Sequence, residues 1–380
     1  MNNVKGFKDY SGEEALKRDA VKEIIIRNFR NFGFEPAETP VIEYEEFVKS
    51  RNGNDEAISD VYSLEDKGKR KLALRYELTF QLNRLSKNKK LPYRVYQVGE
   101  VFRDEPTSSN RFRQFIQCDA DIIGSSVKDD AEIISLASLI LKELKIGAEI
   151  MINSRALLNE ILEREGINEK EKVIREIDKL DKLTEGEVRN NLKKYGAEKL
   201  INLFKKPRAF FRKYASYIDI EELEKYLKYY NVKTKFQPSL ARGLSYYTGS
   251  VFEAKAKNIK ETICAGGSYK INGANATGLS IGLERASEIA KIKTAEKRIL
   301  MISIGEDEKA VEISEKLRKK NIKCFIMSGK ISKALEFANS YNIPYVVFVG
   351  KEELKQKKVK LRDMKSGKEE LINIEEIPAC

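Results

Sequence analysis

The chain contains no histidine. That absence removes the Ser/His/Asp triad, the Cys/His dyad, the imidazole general base and every His-ligated metal centre from the chemistry open to it. Catalysis here has to run on arginine, carboxylates, backbone groups, a divalent ion or a phosphate that the substrate brings. Reactions driven by positioning and charge stabilisation fit best. Cysteine is scarce as well: Cys118, Cys264, Cys324 and Cys380 are scattered, with no pair at zinc-ligand spacing. The opening MNNVKGFKDY has no apolar signal region, and no apolar run approaches the length of a membrane span. A cytosolic protein with reduced thiols and no membrane partner is expected.

Charge, by contrast, is plentiful. Lys and Arg number 71 against 59 Asp and Glu, a net of +12 over 380 residues. Such a surface suits a polyanion, while its acidic content argues against a disordered basic tail. Nucleic acid or a nucleotide is the natural partner, and a merely Lys-rich soluble protein is the plain alternative. The length implies two or three domains with ample core and no need of disulfide or metal staples.

Residues 93 to 124 draw the most attention. Two runs of period-two alternation, Tyr93 to Arg103 and Arg113 to Ile123, flank the polar DEPTSSNRF, which predicts a β-hairpin with a long loop. On the second strand Ile116, Cys118, Ala120 and Ile122 share one face; Phe115, Gln117, Asp119 and Asp121 share the other. The first face is core and the second reads as the floor of a polar pocket, rimmed by Arg103, Glu105, Arg111 and Arg113. Guanidinium forks suit phosphate and carboxylate oxygens, whereas Gln117, Asp119 and Asp121 suit an ammonium or a ring N–H. An amino acid being joined to ATP has both needs. A solvated edge hairpin is the alternative.

Elsewhere, Ser11 to Glu14 reads as a capping box opening an amphipathic helix that ends at Gly33. An extended piece broken by Pro36 and Pro40 follows, a pairing that often builds a subunit interface and otherwise packs within one domain. Residues 61 to 84 read as a hairpin around Asp66 to Lys69 running from strand into helix. Arg75, Glu77 and Thr79 then fall at a helix start with free N–H groups, where Glu77 either holds an ammonium or caps. A helix is expected from about Lys128 to Leu144. Residues 155 to 231 are charged and helix-periodic, a small helical module; its KKPRAFFRKY, 205 to 214, either meets RNA or packs its aromatics inward. The segment 237 to 256 crowds Arg242, Gly243 and two tyrosines together, 261 to 271 carries a Gly-Gly that alone reads as a turn, and 276 to 292 runs a strand into a helix bearing Glu284 and Arg285. Beyond a boundary near 293 to 297, apolar strands alternate with helices at about 307 to 320 and 331 to 341, a small α/β domain with a largely parallel sheet. From Lys297 on, 18 Lys and Arg oppose 13 Asp and Glu, which suits a polyanion-binding domain or a plain structural one.

Taken together and in order, ALRYELT, GEVFRDEPTSSNRFRQFIQCDADIIG, LARGLSYYTGSVFEA and GLSIGLER resemble the motifs of class II histidyl-tRNA synthetases over nearly the whole chain. The resemblance implies an α+β class II synthetase fold: a six-stranded antiparallel catalytic sheet with flanking helices, a helical insertion near the tRNA acceptor stem, and a C-terminal α/β anticodon-binding domain. It divides the chain into 1–154 and 236–293 for the catalytic domain, 155–235 for the insertion and 297–380 for the anticodon-binding domain. It implies a homodimer through the first helix and the Pro40 strand, with ATP, Mg²⁺, L-histidine and tRNA(His) as ligands. Arg103 resembles the arginine that contacts the α-phosphate and carboxylate. Glu105 and Arg111 resemble the ATP-gripping loop residues, Phe115 the adenine stacker and Arg285 the γ-phosphate arginine. Glu77, Thr79 and Gln117 resemble the ligands of the ammonium, Asp121 and Tyr247 the imidazole readers, with Tyr246 and Tyr269 walling the pocket. Arg242 resembles the arginine used in activation near the α-phosphate. No residue is assigned to a metal.

The sequence departs from the family pattern at Tyr76, where Pro is common, at Ser245, where many members have Asp, and at Ser268 and Lys270, where an Arg-Tyr-Asp pattern is usual. Asp121 is one methylene shorter than the Glu of many members. These positions bear on imidazole discrimination rather than on ATP. They keep open a non-catalytic paralogue that senses histidine or uncharged tRNA, and a class II synthetase for another amino acid.

Overall fold

The computed structural model describes residues 2–51, 59–108, 111–241, 246–256, 261–293 and 298–377, with the side chains of 50 and 51 left aside. They form two compact units, Met1–Ile292 and Lys293–Cys380.

The first unit is built on one large sheet. Its strands in chain order are β1 (Glu35–Pro36), β5 (Tyr93–Phe102), β6 (Gln114–Ile123), β7 (Ala148–Ser154), β8 (Lys235–Phe236), β9 (Ser250–Ala256), β10 (Thr262–Ile271) and β11 (Ala274–Gly282). A separate small sheet holds β2 (Ile42–Tyr44), β3 (Ser63–Glu65) and β4 (Lys71–Leu74). The large sheet runs β1-β5-β6-β11-β10-β9-β7-β8. Its six central strands are antiparallel throughout, and the two-residue β1 and β8 add parallel edges to the expected six.

One face of this sheet carries the core. Val21, Ile25 and Phe29 of the helix Gly12–Asn31 and Ile133, Ile134, Ala137 and Ile140 of the helix Val127–Glu143 are buried with Cys118, Ala120 and Ile122 of β6. The first helix therefore buries its apolar stripe within its own unit. Its expected capping box is absent: Ser11 makes no side-chain cap, Gly12 takes φ +56°, and Glu14 pairs with Lys8 at 2.6 Å. The left-handed turn at Gly12 changes the entry geometry that a capping box requires. Capping boxes do form at Ser126 with Asp129 and Thr184 with Glu187.

Residues 155 to 229 are helical, from Arg155–Arg164 through Ile218–Tyr229. The basic KKPRAFFRKY segment packs its rings inward: Phe211 and Tyr214 are buried, and Phe211 and Tyr217 meet Phe236 of β8 edge-on at 5.4 and 5.5 Å. Arg208 pairs with Glu224.

The second unit has five strands, β12 (Ile299–Ile304), β13 (Cys324–Met327), β14 (Tyr345–Gly350), β15 (Lys358–Asp363) and β16 (Glu369–Asn373), in the order β13-β12-β14-β15-β16. The first three are parallel, and β15 and β16 extend them as an antiparallel hairpin. Ile299 and Met301 face the helix Asp307–Lys319, while Leu300 and Ile302 face the helix Ile331–Ser340. Burial on both faces is why β12 reads as an unbroken apolar run.

Candidate active site

The pocket begins on β6. Its alternation sends Gln117, Asp119 and Asp121 away from the core, yet Asp119 and Asp121 are only 3% and 4% exposed. β11 makes the room they occupy: Gly278 opposes Asp121, Ser280 opposes Asp119 and Gly282 opposes Gln117. A Cβ at Gly278 would lie 1.9 Å from Asp121 Oδ1. On β10, a Cβ at Gly266 would lie 2.0 Å from the Gly278 carbonyl oxygen. The Gly-Gly that suggested a turn is therefore inside a strand, where backbone packs on backbone.

Tyr269 crosses from β10 and donates its hydroxyl to Asp121 Oδ1 at 2.5 Å. Tyr246 lies 5.5 Å from the Tyr269 ring and 4.8 Å from that of Tyr247, and its hydroxyl is bonded to Thr79. Phe80 closes the box edge-on at 6.4 Å from Tyr246. Asp121, Thr79, Tyr246, Tyr247 and Tyr269 thus share one wall. Burial, joined by the charge of Asp119, pushes the Asp121 carboxyl well above the usual range, against the Tyr269 hydrogen bond.

Glu77 stands across from this wall on the segment between β4 and a single helical turn, Leu82–Leu85. The helix start expected under Arg75, Glu77 and Thr79 is absent; tertiary hydrogen bonds fix these residues instead. Arg75 donates to the carbonyls of Thr39 at 2.8 Å and Glu100 at 2.6 Å, and Gln97 donates to that of Leu78 at 2.7 Å. Among the described residues, Glu77 Oε1, Gln117 Oε1 and Asp119 Oδ1 are buried without a hydrogen-bond partner. Gln117 places its Nε2 on Ser280 Oγ at 3.0 Å, which leaves that oxygen free to accept. Burial raises the Glu77 carboxyl to about 8 and that of Asp119 to about 7, with Arg103 lowering both.

A raised carboxyl opposes folding as pH rises. Glu77 ionises near 4.5 in the unfolded chain and near 8 in the fold, so its stabilising proton is lost from the unfolded state first and stability falls between those values. Glu77→Gln is therefore expected to flatten the pH dependence of the unliganded protein and stabilise it at pH 8 by on the order of 1–3 kcal/mol. Thermal unfolding from pH 5 to 9 checks this; a variant that melts lower than wild type at pH 8 contradicts it.

The cationic side begins where β5 ends. Arg103 lies over the rings of Tyr76 at 4.3 Å and Phe115 at 5.2 Å, donates to the Tyr76 carbonyl at 3.3 Å, and comes within 3.8 Å of Glu105. Glu105 is buried and ion-paired with Arg111. Arg285, on the helix Leu283–Ile289, donates to the Thr262 carbonyl at 3.0 Å and feels the charges of Arg111 and Arg103. Three guanidinium groups thus converge, and Arg103 also borders the acidic pocket. Arg242 and Ser245 lie outside the described residues.

Three residues acquire roles that the sequence did not signal. Tyr76, a departure from the family pattern, supplies a ring beneath Arg103. Glu284 accepts from the Ile116 amide at 3.1 Å and pairs with Arg18 at 2.8 Å, fixing the start of the Arg285 helix against β6. Asp130, buried under the sheet, accepts from Ser268 at 2.7 Å. Ser268 and Lys270 consequently sit on the face of β10 opposite Tyr269, away from the pocket. Only the alternation of the strand separates them from it.

Known proteins resemble this chain along its whole length. Residues 6–286 match the family described as histidyl-tRNA synthetase and 297–380 the anticodon binding domain. A histidine–tRNA ligase 1 of Bacillus cereus is 33% identical over 97% of this chain and 96% of its own. A histidine–tRNA ligase of Clostridium tetani is 34% identical over 98% and 95%. In fold, the crystal structure of histidyl-tRNA synthetase from Nostoc sp. PCC 7120 superimposes with a TM-score of 0.84 at 24% identity, covering 99% of this chain and 98% of that one. With two family matches in sequence order and relatives of this identity from end to end, the chain belongs to the histidyl-tRNA synthetase family.

Proposed function

We infer that the chain ligates histidine to tRNA(His) in two steps at this pocket, using ATP. The observation that carries the reading is the meeting of two opposite sites at Arg103: a buried acidic pocket with unpartnered oxygens, and a cluster of three guanidinium groups. The first suits an ammonium and a ring N–H, the second a triphosphate and a carboxylate.

In this reading Glu77, Thr79 and Gln117 take the ammonium of histidine. Asp121 and Tyr247 read the imidazole between the walls of Tyr246 and Tyr269. Phe115 stacks on adenine, Glu105 and Arg111 grip the nucleotide, and Arg285 takes the γ-phosphate. Arg103 holds the histidine carboxylate beside the α-phosphate, with Arg242 as a further cation there. A carboxylate oxygen attacks the α-phosphorus in line, the bond to the bridging oxygen breaks, and pyrophosphate leaves with the electron pair. The terminal hydroxyl of the tRNA then attacks the acyl carbon, AMP departs, and its phosphate accepts the hydroxyl proton. Positioning and fixed positive charge account for the catalysis without an imidazole. Magnesium arrives on the phosphates as part of the nucleotide substrate. Among the described residues no three Cys, Asp or Glu side chains gather to hold an ion.

The C-terminal unit serves the anticodon and the helical segment 155–235 the acceptor stem of the tRNA. A homodimer would form through the small sheet, where Ile42, Tyr44 and Leu64 are exposed apolar residues. Among the described residues no helix is long and apolar enough to cross a membrane, and Cys118, Cys264 and Cys324 form no disulfide, in keeping with a cytoplasmic setting. Relatives named as ligases along the full length disfavour the paralogue reading.

The test is ATP–pyrophosphate exchange with each of the twenty amino acids, without tRNA. Exchange with histidine alone is expected. Histidine binding without exchange would return the protein to the sensor reading, and exchange with another amino acid would overturn the pocket assignment.

A further inference from the structure

Asp119 has no role in the assignments above, yet it is the central residue of the pocket floor. It lies between Gln117 and Asp121 on one face of β6 and opposite Ser280 on β11. The side chain is 3% exposed, and its Oδ1 lacks a hydrogen-bond partner among the described residues, as do Glu77 Oε1 and Gln117 Oε1. An orphaned carboxylate oxygen in a buried site is costly unless something completes it. Two such carboxylate oxygens and the amide oxygen of Gln117 come from two separate segments, with Glu77 within electrostatic reach of Asp119.

The charged groups around Asp119 are Glu77 and Arg75 from the segment after β4, Arg103 from the end of β5, and Asp121 on its own strand. Arg75 is committed to the Thr39 and Glu100 carbonyls, and Arg103 to the carbonyl and ring of Tyr76. No side-chain cation of the described residues neutralises Asp119 directly. Gln117 and Ser280 supply an amide oxygen and a hydroxyl at its flanks.

From this geometry we propose that Asp119 is a direct ligand of the substrate α-ammonium group, which it shares with Glu77, and that binding exchanges a proton held by this carboxylate pair for the ammonium. The inference rests on the histidine-ligase reading. An ammonium has three donors; Thr79 is already bonded to the Tyr246 hydroxyl, so under this proposal Asp119 takes its place beside Glu77 and Gln117 as the third acceptor, without disturbing the Asp121–Tyr269 bond that faces the ring. The raised carboxyls of Glu77 and Asp119 agree with a pair that is partly protonated at neutral pH until a cation arrives. Substrate affinity should then fall as pH drops from 8 to 6.

The experiment is steady-state ATP–pyrophosphate exchange by wild type and Asp119→Asn, varying histidine and ATP separately from pH 6 to 8, with thermal melting of each protein. In Asp119→Asn the histidine KM is expected to rise about 10–100-fold, in keeping with loss of one charged hydrogen bond. The ATP KM should stay within about twofold, and the histidine KM should lose part of its pH dependence relative to wild type. An unchanged histidine KM, or equal changes in both KM values, overturns the inference. Should the variant not fold, Ser280→Ala leaves both carboxylates in place and removes the hydroxyl beside Asp119. It is expected to raise the histidine KM by about 3–10-fold, and no rise also overturns the inference. Absence of exchange in wild type itself would instead remove the ligase reading on which this one stands.

Discussion

Arg103→Ala should lower histidine-dependent ATP–pyrophosphate exchange by about 10²–10³ in kcat, the loss typical of removing one preorganised group from a developing charge. Among the described residues, the guanidinium borders both halves of the cleft. It acts on Glu77 and Asp119 from one side and on Arg285 from the other. The rings of Tyr76 and Phe115 and the Tyr76 carbonyl hold it in place, so in the proposed reaction it need not reorganise as charge develops on the α-phosphate. Arg103→Lys should recover little. A lysine keeps the charge but loses the planar fork and the ring contacts that orient it. Exchange kinetics with single-turnover adenylate formation distinguish a chemical defect from weakened binding. Exchange within a few-fold of wild type, in a variant that melts normally, would remove Arg103 from the reaction.

Gly278→Ala should have an effect of similar size through the opposite means, by adding one methyl group. That methyl would meet Asp121 Oδ1 at 1.9 Å and the Ala120 carbonyl oxygen at 3.0 Å. Asp121 has nowhere to retreat, because its oxygen is bonded to a buried tyrosine and its strand is paired on both sides. Overpacking of about 1–3 kcal/mol and a buried polar group left unsatisfied, at about 1–3 kcal/mol, are expected together. The Asp121–Tyr269 pair should come apart and the histidine KM rise by at least about tenfold. A double variant separates the two effects. Asp121→Ala with Gly278→Ala relieves the collision and should regain stability relative to Gly278→Ala alone, while histidine activation stays low. If the double variant is no more stable than the single one, the collision is not the cause.

Much of this was legible in the sequence, for a reason that also explains what was not. The period of two on β6 assigns Cys118, Ala120 and Ile122 to the core and Asp119 and Asp121 to the pocket, and the burial agrees. Both-face burial made β12 and β14 readable as apolar runs. The same rule applied to β10 would have placed Ser268 and Lys270 on the face away from Tyr269. The family pattern directed attention to which residues differed rather than to where they pointed. Residues whose partners are distant in sequence were not readable. Arg75 takes its place from Thr39 and Glu100, Tyr76 from Arg103, and Asp130 from Ser268. The false capping box at Ser11 is local chemistry overruled, since Glu14 is drawn to Lys8 and Gly12 turns the backbone left-handed. The hairpin β15–β16 is hard to read because β16 is charged and largely exposed, and β15 offers only Val359 and Leu361 between charged residues.

The pairing of Arg18 with Glu284 also sets a schedule. The first helix contributes an arginine early in the chain, and its partner follows 266 residues later. At about 5–20 residues per second on the ribosome, that interval is roughly 13–53 s. Over its last 168 residues the Ile116 amide at the start of β6 lacks the carboxylate that will cap it, and the helix bearing Arg285 does not yet exist. The Arg285 side of the cleft is consequently among the last parts of the first unit to be completed during synthesis. A nascent chain halted before Glu284 would carry Arg103 and Arg111 but neither Arg285 nor the carboxylate that fixes its helix against β6.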